Sequence, residues 1–203
     1  MSAELETALQ CIREDARAGR FLLWGHSTVV DEHVGAPVID RELFDLLHET
    51  AGIPAEFPVG NAGVVHVYGY FFSDVPTPYG YKRDRWNDGV FARSLGRPAS
   101  AFRLGDSDTE TPLERVSGAA LPLLQDPPAD ATAVLDVVVD AAPTRAVVTA
   151  ADRDGSAALV YGVDEGRGMG LVTTFPVADA VTFAREAAAE PPRLRWNAAI
   201  LPA

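Results

Sequence analysis

The sequence predicts one α+β domain over residues 1–203, in which helices pack against a mostly antiparallel sheet. Helical patterns dominate residues 1–130, whereas short apolar runs separated by turn residues, and then one helix, occupy residues 131–203. Strands this closely spaced pair as an antiparallel meander, because a parallel crossover needs a dozen or more residues. The chain has 203 residues, 47% of them hydrophobic, which is enough to bury one core.

Four segments of residues 1–130 carry helical signals. Apolar residues recur at helical spacing near the N-terminus, and each later segment follows a side chain that caps a helix N-terminus. The apolar stripe consists of Leu5, Leu9, Ile12 and Ala16. The capping residues of the three later segments are Asp40, Asn87 or Asp88, and Thr111. The Thr111 segment has a capping-box pattern with Pro112 at the first helical position, so a helix is predicted from there to about Leu124.

Two strands are predicted between these helices. The first covers 21–24. The second and stronger one covers 63–72, where β-branched and aromatic residues follow a Gly-Asn-Ala-Gly turn. Strand periodicity places His66, Tyr68 and Tyr70 on one face of the second strand. We therefore expect one face of this strand to be plain core and the other to carry polar groups.

The C-terminal part contains four runs with strand character, followed by a helix. The runs are AVLDVVVD, RAVVTAA, AALVYGVD and GLVTTFP. A helix is predicted over 177–189, and the run RLRWNAAIL after it predicts a final strand. The Gly-rich run 165–170 is interpreted as a hairpin turn and not as a phosphate loop, because it joins two strands and opens no helix.

Composition and charge limit the classes of partner. The formal net charge is -12, so the average surface repels phosphate backbones and we expect no nucleic-acid partner. No apolar run approaches the roughly 20 residues that span a bilayer, and the N-terminus lacks a secretory pattern, so we expect no membrane partner and a cytoplasmic location. The single Cys11 agrees with a reducing compartment. The preference for Arg over Lys and the abundance of Ala are typical of bacterial proteins.

All four histidines lie in the first third of the chain, and three of them are candidates for catalysis. Two lie in a loop after an apolar strand, which is a common place for sites, and the third projects from the predicted strand 63–72. If the loop folds over that face, the three imidazoles converge, with Asp31 or Glu32 orienting one of them. The predicted catalytic residues are His66, His26, His33 and Tyr68.

This arrangement is compatible with three roles. Neutral imidazoles with one carboxylate bind Zn²⁺ or Fe²⁺, but the spacing H-x6-H is not diagnostic, so a metal or other cofactor stays unknown. Alternatively one His is a metal-free acid/base, since its ordinary pKa suits proton transfer at neutral pH. In the third role, His26 and His33 are loop or capping residues and His66 is a hydrogen-bonded core residue. His48 is expected to be solvated, and no G-x-S-x-G elbow supports a Ser hydrolase.

The stretch TPYGYKRDRW, residues 77–86, gathers cations and aromatic rings in an acidic chain. The predicted substrate-binding residues are Tyr79, Tyr81, Lys82, Arg83, Arg85 and Trp86. Arg presents a planar fork that matches carboxylate or phosphate, and Tyr or Trp stacks on planar or apolar groups. We interpret the stretch as a loop that holds a small anionic molecule. The alternative is that Arg83 and Arg85 pair with the protein's own carboxylates while the rings seal the edge of the core.

Two functions follow from these residues. The first is a small-molecule enzyme of bacterial biosynthetic or tailoring type, which uses His acid/base chemistry on an anionic substrate held by the basic aromatic loop. The second is an acidic protein without catalytic activity that binds a basic protein partner. The run LVTTFPVADAVTFAREAAAEPPRLRW resembles the strand, helix and Trp-containing last strand of some bacterial immunity proteins. Those proteins are small and acidic and bind toxins, so the resemblance implies the second function. The pattern of His and Tyr followed by a cationic loop favours the first.

Overall fold

The computed structural model describes residues 2–105, 107, 109–139 and 141–190. Helices and a four-stranded antiparallel sheet make up the fold, so the predicted α+β class is confirmed. The helices are α1 (Ala3–Arg17), α2 (Arg41–Ala51), α3 (Lys82–Asn87), α4 (Val90–Ser94), α5 (Pro112–Gln125) and α6 (Ala180–Ala189). None of the helices in this part of the chain is long and apolar enough to cross a membrane.

Short antiparallel ladders shape the N-terminal half. They join β1 (His26–Thr28) to β4 (Val59–Asn61), β2 (Val30–Asp31) to β3 (Ala36–Pro37), and β5 (Pro76–Thr77) to β6 (Gly80–Tyr81). The strand predicted over 21–24 is wrong, since Arg20–Leu23 forms a 3-10 turn. Trp24 follows this turn and makes an isolated parallel bridge to Leu171, which attaches the N-terminal half to the main sheet.

The C-terminal sheet is the predicted meander. Its strands are β7 (Ala133–Val139), β8 (Ala142–Val148), β9 (Ala157–Asp164) and β10 (Met169–Val177), in the spatial order β10-β9-β8-β7. The Gly-rich run forms the β9–β10 turn, as predicted. A bulge interrupts the β9–β10 register between Leu171 and Thr173. Helix α6 follows β10 near its predicted position, whereas the predicted strand RLRWNAAIL lies outside the described residues.

The predicted helix caps are largely confirmed. Asp40 Oδ1 accepts a hydrogen bond from Leu43 N at the start of α2, at 2.8 Å, and Thr111 Oγ1 accepts one from Glu114 N at the start of α5, at 3.1 Å. The N-cap position of α4 is occupied by Gly89 and not by Asn87 or Asp88, although Asp88 Oδ1 accepts a hydrogen bond from Val90 N. Each side chain satisfies an amide that has no partner inside its helix.

The strand predicted over 63–72 is wrong, because this segment is helical. Val64–Tyr68 forms a π-helical turn and Gly69–Phe72 a 3-10 turn. Asn61 Oδ1 accepts hydrogen bonds from the amides of Gly63 and Val64 and so starts the helical segment. All five side chains of the π-helical turn are buried, so neighbours surround the segment on every side and helical packing overrides the strand preference of β-branched residues.

The helical conformation changes which side chains share a face. Residues four apart lie on the same side of a helix, so His66 and Tyr70 point together, while Tyr68 points elsewhere. A large core holds the segment between α1, α5 and the sheet, and Trp24 crosses this core to donate a hydrogen bond from Nε1 to Ser117 Oγ at 2.9 Å. The segment thus presents one polar pair to a cavity, while its remaining residues are buried or, at Phe71 and Phe72, half-buried.

Candidate functional site

A cavity of about 370 Å³ lies between the helical segment 64–72, α3, β10 and α6. One part of its wall is polar and contains charged or titratable side chains, namely Asp31, Glu32, His33, His66, Lys82 and Arg85. Another part is apolar and largely aromatic, and includes Trp24, Val67, Trp86, Phe91, Phe175 and Phe183. The structure therefore brings together two of the predicted catalytic residues and four of the predicted substrate-binding residues, the fourth being Tyr79.

The loop predicted over 77–86 is wrong for its second half, because Lys82–Asn87 forms helix α3, and this helix places the cationic side chains on the cavity wall. Lys82, Arg85 and Trp86 are spaced i, i+3 and i+4, so they lie on one face of the helix, and all three line the cavity. Arg83 lies on another face. It pairs with Asp74 and Asp84 and stacks over the ring of Tyr81 with its guanidinium carbon 4.9 Å from the ring centroid. Arg83 and Tyr81 thus lie outside the cavity lining.

Lys82 is committed to an ion pair inside the cavity wall. Its Nζ lies 2.6 Å from Asp31 Oδ2 and 4.8 Å from the centroid of the Tyr70 ring. Burial acts to raise the pKa of Asp31, but the hydrogen bond and charge of Lys82 outweigh it and hold that pKa below its ordinary value. Burial lowers the pKa of Lys82, and Asp31 offsets this only in part. Asp31 Oδ1 also accepts from the amides of His33 and Val34, which fixes the loop around the pair.

Arg85 differs from its two cationic neighbours. It is half-buried and makes no ion pair or hydrogen bond with any residue that the structure describes. Its charge reaches the nearby groups, because it acts to lower the pKa of both Tyr70 and Lys82. A half-buried guanidinium without a carboxylate carries unused hydrogen-bond donors, so Arg85 is the group in this wall with capacity for an incoming anion.

His66 is the buried titratable group of the cavity. Its Nε2 lies 2.9 Å from Ser27 Oγ, and its ring stacks on Tyr70 with 4.9 Å between the centroids. Burial, and then the charge of Lys82, lower its pKa to about 3, against a smaller opposing effect of the Val172 backbone. Nδ1 is buried and meets hydrogen-bond geometry with no described group. The imidazole is therefore neutral at neutral pH, with one nitrogen held by Ser27 and the other unused.

A second buried polar atom in the cavity wall also lacks a partner. Thr174 Oγ1 makes no hydrogen bond to any group in the described ranges. Thr174 lies in the cavity-lining stretch of β10 that follows the bulge, and β10 is an edge strand of the four-stranded sheet. Like Nδ1 of His66, this oxygen is itself shielded from solvent, so both atoms lie behind the surface of the cavity.

His33 and Tyr79 lie toward solvent at the same cavity. Their rings make an edge-to-face contact with 5.0 Å between centroids, and His33 Nε2 lies 3.2 Å from Glu32 Oε1. Tyr79 is 66% exposed, on the turn between β5 and β6. This pair therefore forms part of the rim of the cavity and is more exposed to solvent than the buried His66.

Two of the four predicted catalytic residues, His26 and Tyr68, lie away from the cavity. His26 Nδ1 lies 2.8 Å from Glu165 Oε2, and the same carboxylate accepts the His26 amide, so His26 ties β1 to the β9–β10 turn. Tyr68 donates its hydroxyl proton to Asp15 in the core, beside Thr111. Neither residue lines the cavity, so the structure does not bring the three predicted imidazoles together.

The prediction that His48 is solvated is wrong. His48 is 4% exposed, its Nδ1 lies 2.9 Å from the Phe44 carbonyl, and its Nε2 accepts the Asn61 amide. Since Nε2 accepts, Nδ1 carries the ring proton and donates it. Burial lowers the pKa of this ring, which is consistent with a neutral structural role. The helix pattern around residue 48 did not reveal this, because the covering strand β4 is distant in sequence.

No group of three or more His, Cys, Asp or Glu side chains in the described part of the chain is placed to hold a metal ion. Thr174 is a residue of the cavity wall that no sequence pattern indicated, because it reaches the cavity only when β10 packs beside segment 64–72. Tyr70 does share a face with His66, as predicted, but the face is that of a helix and not of a strand.

Comparison with protein-family models, with curated proteins and with solved structures returned no match. The run that resembles the end of some immunity proteins contains strand β10 followed by helix α6. Its last part lies outside the described residues. A strand followed by a helix is common to many folds, so the function must be argued from the cavity.

Proposed function

We propose that this protein is a small-molecule enzyme that binds an anionic substrate at Arg85 and exchanges a proton with it at His66. One observation carries the proposal: the guanidinium of Arg85, which has no partner among the described residues, and the buried neutral imidazole of His66 belong to the wall of the same cavity. A concave site with a few convergent polar groups and a strongly perturbed pKa is the usual form of an active site. The bacterial source, the biosynthetic or tailoring role and the cytoplasmic location stay predictions.

Ser27 supports a role for Nδ1 as a proton acceptor. Ser27 Oγ lies 3.4 Å from the Thr28 carbonyl, to which it donates. When its oxygen accepts the proton on His66 Nε2, at 2.9 Å, the lone pair of the ring is on Nδ1. Ser27 is fully buried and outside the cavity lining, so it is a positioning residue and not a nucleophile.

Anion binding itself adjusts the basicity of His66. The charge of Lys82 contributes to the low pKa of the imidazole. An anion bound beside Arg85 and Lys82 opposes that charge and favours the protonated ring. The pKa of His66 therefore rises when substrate binds, which brings the imidazole closer to the range in which proton transfer is efficient. An empty site holds a weak base, and an occupied site holds a stronger one.

The test is turnover of anionic metabolites by matched variants. The purified protein is incubated with a panel of small carboxylates and phosphate esters, and consumption is followed by mass spectrometry. For a compound that is consumed, Arg85→Gln should raise the half-saturating concentration. His66→Gln should mainly lower turnover, by about 10²-fold or more, since glutamine can reach Ser27 but has no base at the Nδ1 position.

Arg83→Gln is the control, because it removes the same charge from the same helix outside the cavity. Full activity in both the Arg85 and the His66 variants would remove these assignments. The described residues add no observation in favour of the acidic protein that binds a basic partner. We therefore propose the enzyme alone.

A further inference from the structure

We infer that the cavity selects a monocarboxylate with a compact apolar body, and that the carboxylate binds Arg85 while the body packs among aromatic rings. The inference rests on the proposed function and names its substrate class. It follows from the pairing of the charged side chains in the polar wall, from the hydrogen-bond donors of Arg85 and from the composition of the apolar wall.

The pairing of the charged side chains favours one negative charge on the ligand. Two carboxylates and two cations line the cavity, and His66 is neutral. Lys82 pairs with Asp31 at 2.6 Å, and Glu32 Oε1 lies 3.2 Å from His33 Nε2, so Arg85 is the cation without a carboxylate partner among the described residues. A carboxylate on the ligand would be that partner. A phosphate dianion would bring a second charge close to Asp31 and Glu32, where like charges repel.

The hydrogen-bond donors fit a planar group. The guanidinium of Arg85 binds a carboxylate through two parallel hydrogen bonds, which a planar two-oxygen group satisfies fully. Lys82, the other cation of the wall, is already held by Asp31 at 2.6 Å, so it is not available for the third oxygen of a phosphate ester.

The apolar wall defines the rest of the ligand. Trp86 is 6% exposed and packs against Phe91 with 4.6 Å between centroids, while Phe175 and Phe183 form a second edge-to-face pair at 6.0 Å. All four rings line the cavity. Ligand pockets range from about 300 to 1,000 Å³, and this one, at about 370 Å³, lies near the lower limit. The body is therefore small and apolar, of the size of one ring with a short chain.

The experiment compares four probes by isothermal titration calorimetry at pH 8. The first is 3-phenylpropanoate. The others are 3-phenylpropanamide, which removes the charge, 2-phenylethyl phosphate, which is a dianion at this pH, and acetate, which removes the body. We expect 3-phenylpropanoate to bind at least about tenfold more tightly than each of the other three. Arg85→Gln should weaken it by about tenfold or more, and Arg83→Gln by less than about twofold.

The outcomes separate this inference from the proposed function. Tighter binding of the phosphate, or equal binding of acetate, overturns the monocarboxylate with an apolar body but leaves an anion site in place. Equal binding of the neutral amide, or unchanged affinity in Arg85→Gln, overturns both. If 3-phenylpropanoate does not bind at millimolar concentration, the inference is overturned, and the proposed function then depends on the phosphate probe. Circular dichroism of each variant verifies that it is folded.

Discussion

The imidazole of His66 stacks on the phenol ring of Tyr70, with 4.9 Å between the ring centroids and 26° between the planes. The ammonium of Lys82 lies 4.8 Å from the centroid of the same phenol ring. Tyr70 therefore connects the buried histidine to the ion pair of Lys82 and Asp31. This array depends on the helical conformation of segment 64–72, since a strand would not set residues 66 and 70 one turn apart.

Truncation of Tyr70 should show how much the phenol ring, as distinct from its hydroxyl, contributes to the stability of the protein. Tyr70→Ala removes the surface on which His66 and Lys82 lie, so we expect the free energy of unfolding to fall by about 2 kcal/mol or more. Tyr70→Phe keeps the ring, so its free energy of unfolding should fall by clearly less than that of Tyr70→Ala. Urea denaturation of both variants measures the difference. Equal losses would mean that the hydroxyl, and not the stacked ring, is the important group.

Stability should depend on pH through His66. Its pKa in the folded protein is about 3, below the ordinary value of 6.5, so as the pH falls the unfolded chain takes up the proton first. The contribution is complete above pH 6.5 and is lost progressively down to about pH 3. Between pH 7.5 and pH 5 the loss is about 2 kcal/mol.

His66→Gln isolates this contribution, because the other titrating groups are unchanged. Urea denaturation at the two pH values should show that the wild type loses about 2 kcal/mol more than the variant on acidification. Equal losses in the two proteins would show that His66 titrates normally and is not buried as described.

Tyr68 should matter for stability and not for ligand binding. Its hydroxyl donates to the buried carboxylate of Asp15, which also accepts from Thr111 Oγ1 at 2.6 Å. Tyr68→Phe leaves that carboxylate one donor short, so we expect a loss of about 1 to 3 kcal/mol in the free energy of unfolding. The affinity for 3-phenylpropanoate should be unchanged in the folded variant. Weakened binding with normal stability would instead support the catalytic role predicted for Tyr68 from the sequence.

The packing of His48 against β4 should make Gly60 intolerant of a side chain. A Cβ at Gly60 would overlap the imidazole of His48 and lie 2.9 Å from Phe44 Cζ, so Gly60→Ala should cost about 1 to 3 kcal/mol. Gly118, on the exposed side of α5, has open space around it, and Gly118→Ala should stabilise by up to about 1 kcal/mol. Thermal unfolding of the two variants should therefore shift in opposite directions. A neutral Gly60→Ala would show that the His48 ring is mobile.

Local signals predicted much of the fold. The caps Asp40 and Thr111 and the close spacing of the last four strands are decided by neighbours in sequence, and each was predicted correctly. The helical conformation of segment 64–72 was not predicted, because it is decided by burial and by the Asn61 cap. Both depend on the tertiary fold. The error also moved Tyr68 onto the wrong face.

The candidate site could be predicted only in part, because some of its contacts also depend on the tertiary fold. The stretch 77–86 was identified from its composition, but the division between Arg83 and Arg85 follows from the face of α3 on which each lies. The contact between His66 and Ser27 spans 39 residues, and Thr174 reaches the cavity only through the folded sheet. Contacts at such separation leave no periodic signal in a single sequence.

Nitrogen NMR of the histidine rings tests the central claim most directly, because it observes Nδ1 of His66 itself. In protein labelled with ¹⁵N-histidine, we expect the His66 ring to be neutral at pH 6 with its proton on Nε2. Its Nδ1 signal should shift when 3-phenylpropanoate is added to the wild type and to Arg83→Gln, but not to Arg85→Gln. A protonated His66 ring at pH 6, or a Nδ1 signal that does not move while the ligand binds, would contradict the account.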